Sequence, residues 1–343
     1  MSLLKVADTA GVSVATVSRV INNRPGISSD TRNNVFRTME EMGYEPKPIA
    51  SRPGRKAIPD KQSTLSNILF LSFAQYDSQT NSPVYAEIIH GVEAELAKAG
   101  MTMMFKQVKA GENISEWISG RDIDGMVLFS PTGTIINWVR SNYKKVPIVS
   151  ILGDVSLGWC DKISYDKPAV AERAIDYLRG KGHKEFLEIH PSNHSRRLAE
   201  LSDIYGMKIT TLADTADDIF ITNERENRPN QVVLEQKFDE YLAINKLPKA
   251  IFLPCDAFAV PVYSILMRKG FYAGKDFDWV SVNNEKSLLD GLMPRPATID
   301  IRSYEMGKAA VQRLLWRKEH ISEPRMTLTI DPLIVMPDGK HSV

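Results

Sequence analysis

The sequence predicts two kinds of structure in one chain. Residues 1–45 read as an all-α helix-turn-helix headpiece, and residues from 66 onward read as a larger α/β body with parallel, doubly wound sheets. Two observations carry this reading. Short apolar stripes of helical period flank Gly11 and recur after the Asn22–Gly26 turn. Further on, short β-branched runs alternate with longer stretches of helical period, the order that parallel strands with crossover helices require. The chain has 343 residues, more than one average domain, so two or three domains are expected.

The first helix is predicted from Leu4, Val6, Ala7 and Ala10, which share one face. Gly11 can adopt the left-handed conformation that ends a helix and turns the chain. Ser13 is placed to cap the second helix by accepting one of its orphan N–H groups. Val17, Val20 and Ile21 then face the first helix, leaving Val14, Ser18 and Asn22 outward at i, i+4 and i+8 with Ala15 and Arg19 beside them. Asn22-Asn23-Arg24-Pro25-Gly26 is a turn. Ser28 caps a third helix with Asp30 in its first turn, Val35, Met39 and Met42 as its buried stripe and Gly43 as its end.

The outward face of the second helix is small and uncharged apart from one arginine, which suits entry into the major groove of DNA. Val14 and Ala15 can touch thymine methyls and Arg19 can reach a guanine edge, while Thr16 and Ser18 can bond phosphates.

The run Gly11-Val12-Ser13-Val14-Ala15-Thr16-Val17-Ser18-Arg19-Val20-Ile21-Asn22, with the later Gly43-Tyr44-Glu45-Pro46, resembles the headpiece of the lactose/galactose repressor (LacI/GalR) family. The resemblance implies that Val14 and Ala15 help select the operator. It also implies that Arg19 contacts a base and that Thr16 and Ser18 meet the backbone.

The charge distribution agrees. Net charge is only +1 over the whole chain, yet residues 1–58 carry nine lysines and arginines against five acidic residues, a local charge of +4. A small basic module on a neutral body is the pattern expected of a DNA-binding headpiece. Two cysteines, Cys160 and Cys255, lack metal-ligand spacing and are expected as reduced, partly buried thiols. With no apolar run near 18 residues and no signal peptide, a cytoplasmic protein without a membrane partner is expected.

Residues 46–65 read as a basic, proline-rich linker, with Pro46, Pro48, Pro53 and Pro59 among lysines and arginines. Most members of the resembled family carry a short hinge helix here, whose leucine wedges into the minor groove. By register from Tyr44 that leucine position falls on Pro53, followed by Gly54, and both oppose a helix. An extended Arg52-Pro53-Gly54-Arg55-Lys56 segment instead suits a narrow A·T-rich minor groove, with Arg52 and Arg55 as its contacts. The alternative is a flexible tether whose charges add only salt-dependent affinity.

In the body, strands are expected at 68–71, 101–106, 125–129, 147–151, 186–189, 250–253 and 279–282, with helices over 83–99 and 169–179. The body resembles the effector-binding core of the same family, an α/β two-lobe, periplasmic-binding-protein-like fold. Matching stretches are 84–100, Asp166 with Lys181-Gly182-His183, Cys255-Asp256-Ala257-Phe258-Ala259, and 294–307. The resemblance implies a core over 66–343, with an N-lobe of 66–162 plus 299–324 and a C-lobe of 163–298 plus 325–343.

It also implies an effector cleft between the lobes. Arg197 falls where the family often grips its ligand. Asp256 matches a cleft aspartate, although capping the helix after its strand is its more ordinary role, even where it also touches ligand. Asn283 stands where many members carry a ligand-binding aspartate. Gln75 and Tyr76 follow the first strand, and Trp159 lies near a lobe crossover, where it can stack on a sugar or simply pack. The implied effector is a sugar or derivative, with no cofactor and no metal.

Two functions remain open at this point. One is a repressor that binds a pseudo-palindromic double-stranded DNA operator as a homodimer and responds to an effector. The other is a DNA-binding regulator whose effector-insensitive core serves as a dimerisation scaffold; the lost aspartate at Asn283 and the poorly matched 191–230 stretch motivate it. An enzyme is not expected, because the chain holds no phosphate loop, nucleophile motif or paired catalytic carboxylates in a credible frame.

Overall fold

A computed structural model describes residues 3–21, 27–44, 67–73, 82–109, 112, 114–118, 121–131, 135–153, 157–215, 217–222 and 227–338. The chain divides into two compact units, Met1–Thr64 and Leu65–Val343.

The first unit holds three helices, α1 (Leu3–Ala10), α2 (Val14–Ile21) and α3 (Ser29–Glu41). Val6, Ala7, Ala10, Val17, Val20, Val35 and Met39 are buried together at its centre. Gly11 has φ +65° and Gly43 φ +58°, so both helix ends use the left-handed region that glycine enters without cost. The Thr16 N–H donates to Ser13 Oγ at 3.0 Å and the Thr31 N–H to Ser28 Oγ at 3.2 Å. Each such cap stabilises its helix by about 1 kcal/mol. One expectation fails: Leu4 is 60% exposed. Leu3 packs against the centre instead, because Leu3, Val6, Ala7 and Ala10 keep the i, i+3, i+4, i+7 spacing of one helical face and Leu4 falls outside it.

The second unit contains two six-stranded sheets. The first joins β1 (Asn67–Ser72), β2 (Thr102–Gln107), β3 (Gly125–Phe129), β4 (Ile148–Ile151), β5 (Asp161–Tyr165) and β13 (Thr327–Ile330), in the order β13-β5-β4-β3-β1-β2. All its pairings are parallel. The second joins β6 (Glu185–Glu188), β7 (Lys208–Thr211), β10 (Ala250–Phe252), β11 (Asp278–Val282), β12 (Ala297–Asp300) and β14 (Leu333–Val335), in the order β14-β12-β11-β10-β6-β7. Only β14 runs antiparallel in it. A small antiparallel pair, β8 (Phe220–Thr222) and β9 (Asn227–Pro229), stands apart.

Crossover helices cover both faces of the sheets: α4 (Pro83–Lys98), α5 (Ser115–Ile118), α6 (Ile135–Asn142), α7 (Lys167–Gly180), α8 (Ser195–Tyr205), α9 (Gln231–Ile244), α10 (Ala259–Arg268), α11 (Lys286–Leu289) and α12 (Ser303–Glu319). Two-sided burial explains the unbroken apolar runs. Along β1, Ile68 and Phe70 enter one core cluster while Leu69 and Leu71 enter another on the opposite face.

Each sheet defines a lobe, and the lobe borders differ from those expected. All of β5 lies in the first sheet, so the first lobe runs through Tyr165 rather than ending at 162. All of β12 lies in the second sheet, so the chain returns to the first lobe after Asp300 rather than at 299. β13 pairs with β5, so residues 327–330 belong to the first lobe and not to the second. These strands are short and partly polar, and neither alternation nor an apolar run marks which sheet they join.

Two helices of the first lobe meet at unusually short range. A Cβ on Gly91 of α4 would lie 2.1 Å from the Tyr304 carbonyl oxygen, and one on Gly307 of α12 would lie 2.2 Å from that of Ile88. The glycines therefore set the spacing of α4 against α12, and with it the position of the head of α4.

Candidate functional site

On α2, Val14, Ala15, Ser18 and Arg19 are exposed and lie along one face, opposite buried Val17 and Val20. Val14 keeps 39% of its surface in solvent. Thr16 is half-buried at the head of the helix, its hydroxyl 2.9 Å from Ser13 Oγ. The geometry is a short helix with small side chains and one arginine turned outward, held rigidly by α1 and α3. Asn22, Arg52 and Arg55 lie outside the described residues, as do Gln75 and Tyr76 of the expected effector set.

In the core, the first and second lobes meet around a cavity of about 510 Å³. Its walls come from the head of α4 (Pro83, Val84, Glu87), the turn after β11 (Asn283 to Ser287) and the crossover into α12 (Asp300, Arg302 to Glu305). Asn283 is the one described residue of the expected effector set found in these walls. It has φ 113° and its neighbour Asn284 φ 59°, conformations that asparagine tolerates better than most residues. Asn284 is held in place from three sides. Its N–H donates to Thr298 Oγ1 at 3.1 Å, its Nδ2 donates to Asp300 Oδ2 at 3.0 Å, and its Oδ1 accepts from Arg295 at 2.8 Å.

Asp256 is fully buried and works inside the second lobe. It accepts from the Glu285 N–H at 2.6 Å and from Thr298 Oγ1 at 3.1 Å. It neither faces solvent nor caps a helix through its side chain. It ties the end of β10 to β11 and β12. Burial pushes its carboxyl up to about 7, opposed by hydrogen bonds including one from Ser281.

Arg197 sits on α8 and is spent in ion pairs, at 2.7 Å to Glu172 of α7 and 3.3 Å to Glu200. Trp159 is not among the walls of the interlobe cavity. It lines a separate cavity in the first lobe with Arg140, Tyr143, Lys144, Arg317 and Arg325.

Sequence reasoning missed Glu285. Its buried carboxylate accepts from Ser82 Oγ at 2.9 Å and from the Val84 N–H, both at the head of α4 in the opposite lobe. Burial raises its pKa, while these hydrogen bonds oppose the rise. The Ser82-Pro83 pair is a readable helix start, but nothing local says that a carboxylate 203 residues away completes it. Both cysteines are free, and burial pushes Cys160 up to about 11 and Cys255 up to about 12, so neither is a reactive thiolate. Among the described residues, no group of three His, Cys, Asp or Glu is arranged to hold a metal, and no helix is long and apolar enough to cross a membrane.

Comparison with known proteins matches residues 2–47 to the model described as bacterial regulatory proteins, lacI family, and residues 175–335 to a periplasmic binding protein-like domain. The chain thus joins a lacI-family headpiece to a periplasmic binding protein-like core. The chain is 22% identical to catabolite control protein A of Priestia megaterium over 323 residues, 92% of this chain and 91% of that protein. A solved complex of the transcriptional regulator CelR with cellobiose superposes with a TM-score of 0.62 at 19% identity, covering 99% of this chain and 100% of that one. The Lac repressor dimer bound to operator and the anti-inducer ONPF superposes with a TM-score of 0.59 at 17% identity, covering 99% and 98%. The two structures share the fold: a helical headpiece followed by an α/β core of mainly parallel sheets. Members of the family are DNA-binding transcriptional regulators.

Proposed function

We propose that this chain is a repressor that binds a pseudo-palindromic operator as a homodimer in the cytoplasm, with its affinity set by a small molecule bound between the lobes. The observation that carries the reading is the outward face of α2. Val14, Ala15, Ser18 and Arg19 are exposed together on a helix whose other side is locked into a three-helix core. Arg19 reads a guanine edge, Val14 and Ala15 meet thymine methyls, and Ser18 with Thr16 holds the backbone. The sequence register adds Asn22 to the same contact set, with Arg52 and Arg55 from the linker. Two such headpieces, related by a two-fold axis, match two half-sites. The operator-bound Lac repressor dimer supports this arrangement.

For the effector, the CelR–cellobiose complex supports a sugar or derivative in a core of the same fold. Asn283 is the contact best supported by the cavity it lines, since an amide can donate to and accept from hydroxyls. The ligand acts by closing or opening the lobes, and only through its different affinities for those two states.

A second reading draws on Glu285. Its carboxylate bridges the lobes through Ser82, and Arg197 and Asp256 are committed elsewhere. In that reading the core is held closed by its own side chains and serves chiefly to pair two headpieces.

Selection of bound duplexes from a random pool, with and without a sugar mixture, tests both. A pseudo-palindromic site lost on adding sugars supports the inducible repressor. A site unmoved by sugars supports the scaffold. Failure to enrich any site refutes the DNA-reading claim common to both.

A further inference from the structure

The cavity that takes Trp159 has a composition that the interlobe site does not share. It measures about 300 Å³ and is lined by Arg140, Lys144, Arg317 and Arg325, by Tyr143 and Trp159, and by aliphatic side chains. Among the described residues, no acidic one is in its walls. It opens beside Ile148, at the start of β4, whereas the interlobe cavity takes Asn283 and Asp300 from the ends of β11 and β12.

Arg317 forms its base and is 1% exposed. Its five donors are all used: two on Asp161, the rest on the carbonyls of His320, Glu323 and Pro324. Asp161 also takes an ion pair from Arg313 at 2.9 Å. One carboxylate thus serves two arginines, and the buried cluster beneath the pocket keeps one uncompensated positive charge. Around the rim, Arg140, Lys144 and Arg325 are exposed, and among the described residues none of them forms a salt bridge. Three unpaired cations and a positive base around an aromatic-walled hollow repel one another unless an anion enters.

We propose that this pocket is a binding site for a phosphate group. Arg140, Lys144 and Arg325 are its donors, and Trp159 and Tyr143 are walls for whatever the phosphate is attached to. A phosphate monoester carries nearly two charges at pH 7 and three acceptor oxygens, which matches three rim cations better than a carboxylate with a single charge, while a DNA backbone diester brings one charge and two free oxygens for each phosphate. The volume admits a small monoester and sits at the lower end of the range for ligand pockets. The phosphate has two sources, a free monoester or the backbone of a DNA duplex, and the test has one arm for each.

In the first arm, calorimetry on the full chain uses phenyl phosphate and inorganic phosphate as probes. Phenyl phosphate is expected to bind at least tenfold more tightly than inorganic phosphate, because its ring meets Trp159 and Tyr143. The triple variant Arg140→Ala, Lys144→Ala, Arg325→Ala is expected to lose that binding at least tenfold with its melting temperature unchanged, since all three residues are exposed. In the second arm, the affinity of an arbitrary-sequence duplex is followed against salt, where each lost phosphate contact lowers the logarithmic slope by about 0.9. Monoester binding lost in the variant with an unchanged slope supports a free ligand. A lowered slope with no monoester binding supports the DNA backbone. Equal behaviour of wild type and variant in both arms overturns the proposal.

Discussion

Glu285 of the second lobe accepts a hydrogen bond from Ser82 Oγ at 2.9 Å, at the head of α4 in the first lobe. Glu285 is itself anchored, its N–H donating to the buried Asp256 carboxylate at 2.6 Å. The unpaired N–H groups at the start of a helix favour a carboxylate there, so a polar contact between protein groups joins the lobes. Glu285→Ala is expected to weaken the closed arrangement by about 1–3 kcal/mol, the range for removing a buried acceptor. Small-angle scattering of the ligand-free chain should show an expanded core in Glu285→Ala and a nearly wild-type one in Glu285→Gln, which keeps an acceptor. Superimposable curves for all three proteins would mean that the contact does not hold the lobes.

Asp161 is the counter-charge of a buried cluster in the first lobe. It is fully buried and takes Arg317 at 2.7 Å and Arg313 at 2.9 Å. Burial alone would raise its pKa, but the bonds from Arg317 and Arg313 outweigh it and hold the carboxyl below its ordinary value. The stability it contributes is therefore present above the unfolded value, about 3.9, and is lost as pH falls through the lower folded value. Asp161→Asn should cost about 3–5 kcal/mol at neutral pH by leaving the buried Arg317 without its counter-charge, although it keeps its three carbonyl partners. Urea unfolding checks this, and a loss under 1 kcal/mol would contradict it.

The α4–α12 contact predicts intolerance of a single methyl group. In Gly307→Ala the new Cβ would meet backbone, the Ile88 carbonyl oxygen at 2.2 Å, so rotating a side chain cannot relieve it. The helices must separate, at about 1–3 kcal/mol or somewhat more. Gly180→Ala is the control, since nothing lies within 4 Å of its Cβ. Thermal melts should show Gly307→Ala several degrees lower and Gly180→Ala unchanged or slightly higher. Equal melts would show that the close approach relaxes freely.

His194 makes the second lobe sensitive to acid. Its ring is buried near Tyr165 and Phe252, and burial pushes its pKa down to about 4. As pH falls below about 6.5 the unfolded chain takes up a proton that the folded chain resists until about 4. Stability is lost across that window at about 1.4 kcal/mol per pH unit. Asp256 works the other way. With its pKa raised to about 7, it adds stability that is full below 3.8 and lost as pH rises through 7. The sign is therefore read from a difference. The deficit of His194→Asn relative to wild type should narrow between pH 6.5 and 4 in parallel denaturation series. A constant deficit would place His194 in a solvated setting.

The headpiece was legible because its rules are local. Caps at Ser13 and Ser28, glycine ends at Gly11 and Gly43 and a helical apolar period each act within a few residues. The central strands were legible because burial on both faces leaves unbroken apolar runs such as Ile68-Leu69-Phe70-Leu71. Short strands that cross between lobes escaped, since β13 is mostly exposed and owes its place to pairing with β5. The effector residues were harder still. Asp256 looks in sequence like the cap of the following helix, yet its bonding donors come from β11, β12 and the turn between them. Trp159 lies between β4 and β5 in sequence and lines the cavity beside the start of β4, and only the fold tells one end of a sheet from the other.

Arg19 tests the central claim most directly. The measurement is the affinity of wild type and Arg19→Ala for a selected duplex and for a scrambled one at fixed salt. A base contact by Arg19 predicts that the variant loses about 1–3 kcal/mol of preference for the selected site while binding the scrambled duplex nearly as before. Undiminished preference in Arg19→Ala would contradict it and remove α2 as the reading helix.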